Sequence, residues 1–220
     1  MDSDDDCSLP ADTMLILQQF LKERNLHQKA EQMKEHSADD IQENWQLSQF
    51  WYDTDTKEKL ASVVNYFRRQ SLGVPKTEPR VALLSCPSLY NHVKAINKDV
   101  TLFEFDQRFE AIGADFIHFD YNKAINDDYM DEFRHAFDLV IADPPFLSEE
   151  CIQKVSTVIK KIANVDCKII LCSGHAVCDW AFKYLDLNIC KFEPHHERNL
   201  GNEFISYANF DLDEILAKVP

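Results

Sequence analysis

The chain has 220 residues, 45% hydrophobic and 28% charged, ordinary globular values that exclude a wholly disordered chain, a collagen and a coiled-coil rod. Its 38 acids against 23 bases give a formal net charge of -15. So acidic a surface repels phosphate backbones, which disfavours nucleic acid as a partner and makes a basic protein the easier fit.

Residues 1–7, rich in Asp, are expected to form a disordered acidic head. Ser8 to about Glu35 reads as a helix, with Met14, Leu17 and Leu21 near helical spacing and Phe20 beside them. A second helix is predicted from Asp55, whose side chain can cap while Glu58 sits three residues on. Its stripe is Leu60, Val63, Val64 and Phe67; Gly73 and Pro75 end it, and Lys76 to Pro79 is a short linker. From Arg80 the texture changes. Apolar runs Val81–Ser85, Val100–Phe105, Phe116–Phe119, Phe137–Ala142 and Lys168–Cys172 alternate with helix-like stretches at Leu89–Ile96, about Gln107–Ile112, Asp127–His135 and Glu149–Ile162. The last of these has Ser148 as its cap and Ile152, Val155, Ile159 and Ile162 as its stripe. Ile189–Phe192 and Glu203–Phe210 suit an antiparallel pair around a polar loop, His195–Asn202. Such alternation predicts an α/β fold with a mostly parallel sheet, helices on both faces and a helical extension before it. The expected parts are the head over 1–7, the extension over 8–78 and the α/β domain over 79–220.

Seven cysteines, an odd number without a Cys-x-x-Cys pair, read as reduced core thiols and not as a disulfide framework or zinc site. No metal is expected; adjacent His195 and His196 rarely share one ion. The acidic start lacks the basic region of a signal peptide, and no apolar run approaches membrane-spanning length. A cytoplasmic monomer with no membrane partner is expected.

Ligands of open α/β sheets bind beyond the carboxyl ends of the strands. The residues there are Ser85-Cys86-Pro87-Ser88, Glu104-Phe105-Asp106, Asp120-Tyr121-Asn122, Asp143-Pro144-Pro145-Phe146 and Ser173-Gly174. Three of these five ends carry acids and none carries Lys or Arg, which suits a ligand with hydroxyls, an amine or a cation and repels a pyrophosphate. Only four glycines occur, too few and too scattered for a dinucleotide fingerprint or a P-loop. S-adenosylmethionine, which has no phosphate, fits better than NAD, FAD or ATP. Glu104 stands about 20 residues beyond the first strand, where a ribose-binding acid belongs; the lesser alternative is that Glu104 and Asp106 are solvated strand-end acids. In Asp143-Pro144-Pro145-Phe146 two prolines stop the strand and stiffen the turn. A carboxylate beside a free proline carbonyl can accept both hydrogens of an amino group and aim its lone pair, and Phe146 offers a face to a base or a cation. The alternative is a plain strand terminator with an exposed Phe.

That turn resembles the [DNS]-P-P-[FYW] signature of class I S-adenosylmethionine-dependent amino-methyltransferases. Gln49-Phe50-Trp51-Tyr52, Leu102 to Asp106 with Arg108-Phe109, Asp120-Tyr121-Asn122, Ala142 to Glu150, and Phe192-Glu193-Pro194 through Arg198-Asn199-Leu200 to Asn202-Glu203-Phe204 are narrower. Together they are similar to the eukaryotic elongation factor 1-alpha lysine methyltransferase family, once described as N6-adenine-specific DNA methyltransferases. The resemblance implies a Rossmann-like, seven-stranded class I methyltransferase that uses S-adenosylmethionine to methylate a lysine of elongation factor 1-alpha. It implies that Ser85, Cys86, Pro87 and Ser88 hold the methionine end of the cofactor and Glu104, with Asp106 beside it, the ribose. Asp120 and Tyr121 would lie by the adenine, and Asp143, Pro144, Pro145 and Phe146 would hold the amine. The chain departs from the usual glycine-rich first motif, having Ser-Cys-Pro-Ser there. Gln49-Phe50-Trp51-Tyr52, with Trp51 as the cofactor contact, reads either as a lid over the cofactor or as an aromatic patch that docks the extension on the sheet. Two other functions stay open from the residues: an N6-adenine methyltransferase of DNA or RNA, and a non-catalytic binding domain.

Overall fold

A computed structural model describes residues 41–70, 78–198 and 203–219. The acidic head, the helix expected from Ser8 to about Glu35, the stop at Gly73 and Pro75 and the end of the loop at 199–202 lie outside the described residues.

Among the described residues the strands are β1 (Val81–Leu84), β2 (Val100–Glu104), β3 (Phe116–His118), β4 (Phe137–Ala142), β5 (Ala163–Gly174), β6 (Asn188–Ile189) and β7 (Phe204–Ala208). They form one sheet in the order β3-β2-β1-β4-β5-β7-β6. β1 to β5 run parallel, and β7 lies antiparallel between β5 and β6. The α-helices are α1 (Thr54–Gln70), α2 (Tyr90–Lys94), α3 (Glu149–Ile162), α4 (Cys178–Leu185) and α5 (Leu212–Lys218). The two-residue alternation of β1 divides the core. Val81 and Leu83 join Leu60, Val63 and Val64 of α1, Val93 of α2 and Ile215 of α5. Ala82 and Leu84 join Ile152, Val155 and Ile159 of α3 and Ala181 of α4. Every β1 side chain is therefore buried on one face or the other, as a central parallel strand requires.

Local chemistry explains where the elements begin and stop. α3 starts where Ser148 Oγ accepts from the Cys151 amide at 3.3 Å, and Lys160 and Lys161 fall in its last turn. α1 begins one residue before the sequence-based start: Asp53 Oδ1, not Asp55, accepts from the Thr56 amide at 2.8 Å. Asp55 instead pairs along the helix with Lys59. The helix expected at Asp127–His135 is absent. Two 3-10 segments, Tyr121–Ile125 and Asp131–Phe133, stand in this region, because Lys161 Nζ takes the carbonyls of Asp127 and Tyr129 at 2.6 and 2.7 Å. Gln107–Asp115 is likewise 3-10, and Leu89–Ile96 shrinks to α2 with a 3-10 turn at Pro87–Leu89. The strand expected over Ile189–Phe192 is cut short since Asp213 takes the amides of Lys191 and Phe192. β5 runs well beyond Lys168–Cys172 because β4 and β7 both pair with it. No helix among the described residues is long and apolar enough to cross a membrane.

These caps have unequal weights. Ser148→Ala should cost about 1 kcal/mol in a denaturant titration, the usual loss of an N-cap. Asp55→Ala should change stability by no more than about 0.5 kcal/mol, since only an exposed i,i+4 pair is lost.

Candidate active site

β1 lies between β2 and β4, and the pairings Leu84↔Phe103 and Leu84↔Ala142 bring the three strand ends to one level. Ser85, the next residue, has φ 55°, a left-handed conformation that favours glycine. Its amide donates to the Phe103 carbonyl at 2.8 Å, and the Asp143 amide donates to the Leu84 carbonyl at 2.9 Å. Gly174 ends β5 under the turn after Phe146, where a Cβ would stand 2.8 Å from Leu147 Cδ1. Over this edge lies a cavity of about 460 Å³.

Of the residues singled out in the sequence, Trp51, Ser85, Pro87, Glu104, Asp120, Tyr121, Asp143, Pro144, Pro145 and Phe146 line this cavity. Cys86, Ser88 and Asp106 do not. Cys86 turns into the core, its Sγ donating to the Ile141 carbonyl at 3.4 Å. Ser88 borders a separate groove and accepts from the Tyr52 amide through Oγ at 3.4 Å. Asp106 is buried beside Glu104 and clasped by Arg108 at 2.6 Å. Gln49 and Phe50 of the candidate lid and Phe105 and Asn122 of the strand ends line it too, while the sequence reading missed Gln46, Leu47, Ser48, Phe119, Leu147, His196 and Phe204 as wall residues. The cluster Gln49-Phe50-Trp51-Tyr52 was the one visible signal for part of that wall.

This cluster belongs to a segment held down by the far end of the chain. Asp53 donates through its amide to the His195 carbonyl at 2.9 Å, Glu197 to the Trp51 carbonyl at 2.8 Å, and Tyr52 faces His196 in an antiparallel bridge. The His196 ring packs 5.1 Å from that of Tyr52 and edge-on to Phe204 at 4.7 Å. Burial lowers its pKa to about 4, so it is neutral at physiological pH. Among the described residues no group of His, Cys, Asp and Glu could hold a metal ion.

Among the described residues the wall carries no Lys or Arg, while Glu104, Asp120 and Asp143 all border it. Asp143 keeps only part of its surface towards the cavity, and removal from water pushes its pKa up to about 7. The Tyr52 hydroxyl beside it favours the ionised form, and Glu104 opposes it. Tyr52 is wholly buried, and its hydroxyl closes no hydrogen bond of regular geometry. Burial also raises Glu104, although the Asp106 amide and the Gln49 side chain both donate to its carboxylate. Tyr121 meets the half-exposed Phe146 edge-on at 6.2 Å, forming an aromatic lip.

The strand order, with the reversed β7 inserted next to last, and a cavity at the carboxyl edge beside Asp143-Pro144-Pro145-Phe146 define a Rossmann-like methyltransferase of class I. The family described as "Probable N6-adenine methyltransferase" matches residues 43–212. A protein-lysine N-methyltransferase of Drosophila melanogaster is 48% identical over 97% of this chain and 98% of its own length. The EEF1A lysine methyltransferase 1 of Gallus gallus is 39% identical over 96% and 98%, and that of Homo sapiens 36% over 96% and 95%. The chain belongs to this family of EEF1A lysine methyltransferases.

The raised pKa of Asp143 sets a stability test. Its folded value lies above the unfolded one near 3.8, so the fold binds the proton more tightly and loses stability as pH rises from about 4 to about 7. Asp143→Asn should therefore melt above the wild type at pH 8, and the two melting temperatures should converge near pH 4.

Proposed function

We propose that the chain transfers a methyl group from S-adenosylmethionine to a lysine amine of elongation factor 1-alpha. The observation that carries this reading is the sign of the cavity wall, with three carboxylates, no Lys or Arg and a neutral His. That donor set fits a sulfonium, a ribose diol and an ammonium, and it opposes a phosphate. S-adenosylmethionine, when bound, supplies an electrophilic methyl group. Ser85 and Pro87 would border the methionine end, Glu104 would accept from the ribose hydroxyls, and Asp120 and Tyr121 would flank the adenine. Trp51 would cover the cofactor from the segment above.

Asp143 and Pro144 would hold the target amine. Lysine arrives as an ammonium, which an ionised Asp143 attracts and the faces of Tyr121 and Phe146 accommodate. After the ammonium gives one proton to water, the carboxylate and the Pro144 carbonyl can accept the two remaining hydrogens and turn the lone pair towards the cofactor. The names of the EEF1A lysine methyltransferase relatives support elongation factor 1-alpha as the substrate.

The description of the matching family favours a second reading, methylation of an adenine amine, for which the same turn would serve. That chemistry needs a grip on the phosphate backbone to present a base. A net charge of -15 weighs against it. Incubation with labelled S-adenosylmethionine and a cell lysate, followed by protease or nuclease, separates the two; label that survives nuclease and is lost to protease supports lysine.

Separate substitutions divide the labour. Asp143→Ala should abolish methyl transfer and leave S-adenosylmethionine affinity within a few-fold. Glu104→Ala should weaken that affinity by about 1.5–3 kcal/mol in calorimetric titration, the worth of a hydrogen bond to a charged acceptor. The reverse pattern would exchange the two assignments. Duplex DNA should bind negligibly at physiological salt, since the chain has few cations with which to release counterions; tight binding with a steep salt dependence would restore the adenine reading.

A further inference from the structure

Glu104 and Asp106 place two carboxylates two residues apart at the end of β2, 4% and 6% exposed. Removal from water and the charge of Asp106 both favour protonation of Glu104. One amide answers both. Gln49, itself 6% exposed, donates through Nε2 to Glu104 Oε1 at 3.0 Å and to Asp106 Oδ2 at 3.2 Å. Its Oε1 accepts from Arg108 Nη2 at 3.4 Å, and Arg108 also grips Asp106 at 2.6 and 2.9 Å and the Gln42 carbonyl at 3.1 Å. Both amide hydrogens are thus committed to carboxylates, which leaves Gln49, although it borders the cavity, no free donor for a ligand.

The segment that carries Gln49 is fixed on both sides. Glu43 accepts from the Trp51 amide at 2.8 Å and pairs with Arg198 at 3.3 Å, while Trp51 and Asp53 are tied to residues 195 and 197. The Asp106 amide donates to Glu104 as well, at 3.1 Å, and among the described residues the other side chains around it offer no donor. Asp143 at the end of β4 and Cys86 after β1 interact with it electrostatically, and its register partner His118 on β3 lays its ring against Phe105 at 5.5 Å. Among the described residues, Gln49 is the side chain that donates to Glu104.

We propose that Gln49 is a positioning residue for cofactor binding: its amide clamps Glu104 to Asp106 and presents Glu104 to the ribose hydroxyls as an oriented, ionised acceptor. The inference rests on the reading of the cavity as an S-adenosylmethionine site. It has a consequence in pH. The Gln49 hydrogen bond favours the carboxylate form of Glu104, so its removal makes Glu104 take up a proton at higher pH, and ligand affinity then begins to fall at higher pH.

Calorimetric titration of the full chain with S-adenosylmethionine between pH 5 and 8.5 tests this without any methyl acceptor. The wild type should bind, and its affinity should fall on the acid side. Gln49→Ala should bind about tenfold more weakly at pH 7, the scale of a charged hydrogen bond, and its acid limb should lie at higher pH. Gln49→Glu, of the same length, adds a third carboxylate and should move that limb further in the same direction; its near-native shape guards against a misfolded Ala variant, and melting curves of both report the fold. Affinity unchanged in both variants, or lowered by one factor at every pH, would overturn the inference and leave the site reading standing. A wild type that binds no S-adenosylmethionine at any pH would overturn the site reading itself.

Discussion

A carboxylate taken out of water costs several kcal/mol unless donors or cations surround it, and this chain brings two, Glu104 and Asp143, to the ends of the two strands that flank β1. Glu104 has the Asp106 amide and the Gln49 side chain. Asp143 has the Tyr52 hydroxyl beside it and no cation, and it remains only half inclined to ionise near neutrality. Both are electrostatically incomplete on their own. A cation in the cavity would supply what the wall lacks, and an anion would add to the repulsion.

The parallel sheet makes this geometry possible. β1, buried on both faces, holds β2 and β4 in register, and Ser85, Glu104 and Asp143 leave the sheet together. Two distant stretches close the remaining sides. Residues 46–51 come from before α1, while His196 and Phe204 come from the region around β6 and β7. A short antiparallel pairing between residues 51–53 and 195–197 joins them.

Much of the sheet was legible because its signals are local. The run Phe137–Ala142 and the stripe of Glu149–Ile162 carry their own boundaries, two prolines in one case and a serine cap in the other, and both spans agree with the structure. Asp143-Pro144-Pro145-Phe146 was visible for the same reason. The failures came where a distant group decided the matter. Lys161 takes carbonyls that a helix over Asp127–His135 would use, and Asp213 takes amides that would extend β6. α4 and α5 are too short for a clear helical period. The family resemblance implied cofactor contacts at Cys86 and Ser88, yet the left-handed turn at Ser85 and the 3-10 segment after it direct these two elsewhere. Gln49 lies 55 residues from Glu104, and no local pattern links them.

The insertion of β7 between β5 and β6 bears on how the chain assembles. Among the described residues β6 pairs with β7 alone, so within this sheet it has nothing to join until Phe204–Ala208 has entered. The Lys57 ammonium and the Thr56 hydroxyl near the front of α1 likewise find Glu197 and the His195 amide some 140 residues later. Contacts so far apart in sequence carry the largest loop-closure cost and are slow to form. On a ribosome, β1 to β4 can pair while later residues are still being made, but the cavity wall has to wait for Phe204. A nascent chain halted before Phe204 would have strand ends and acids but no enclosed site.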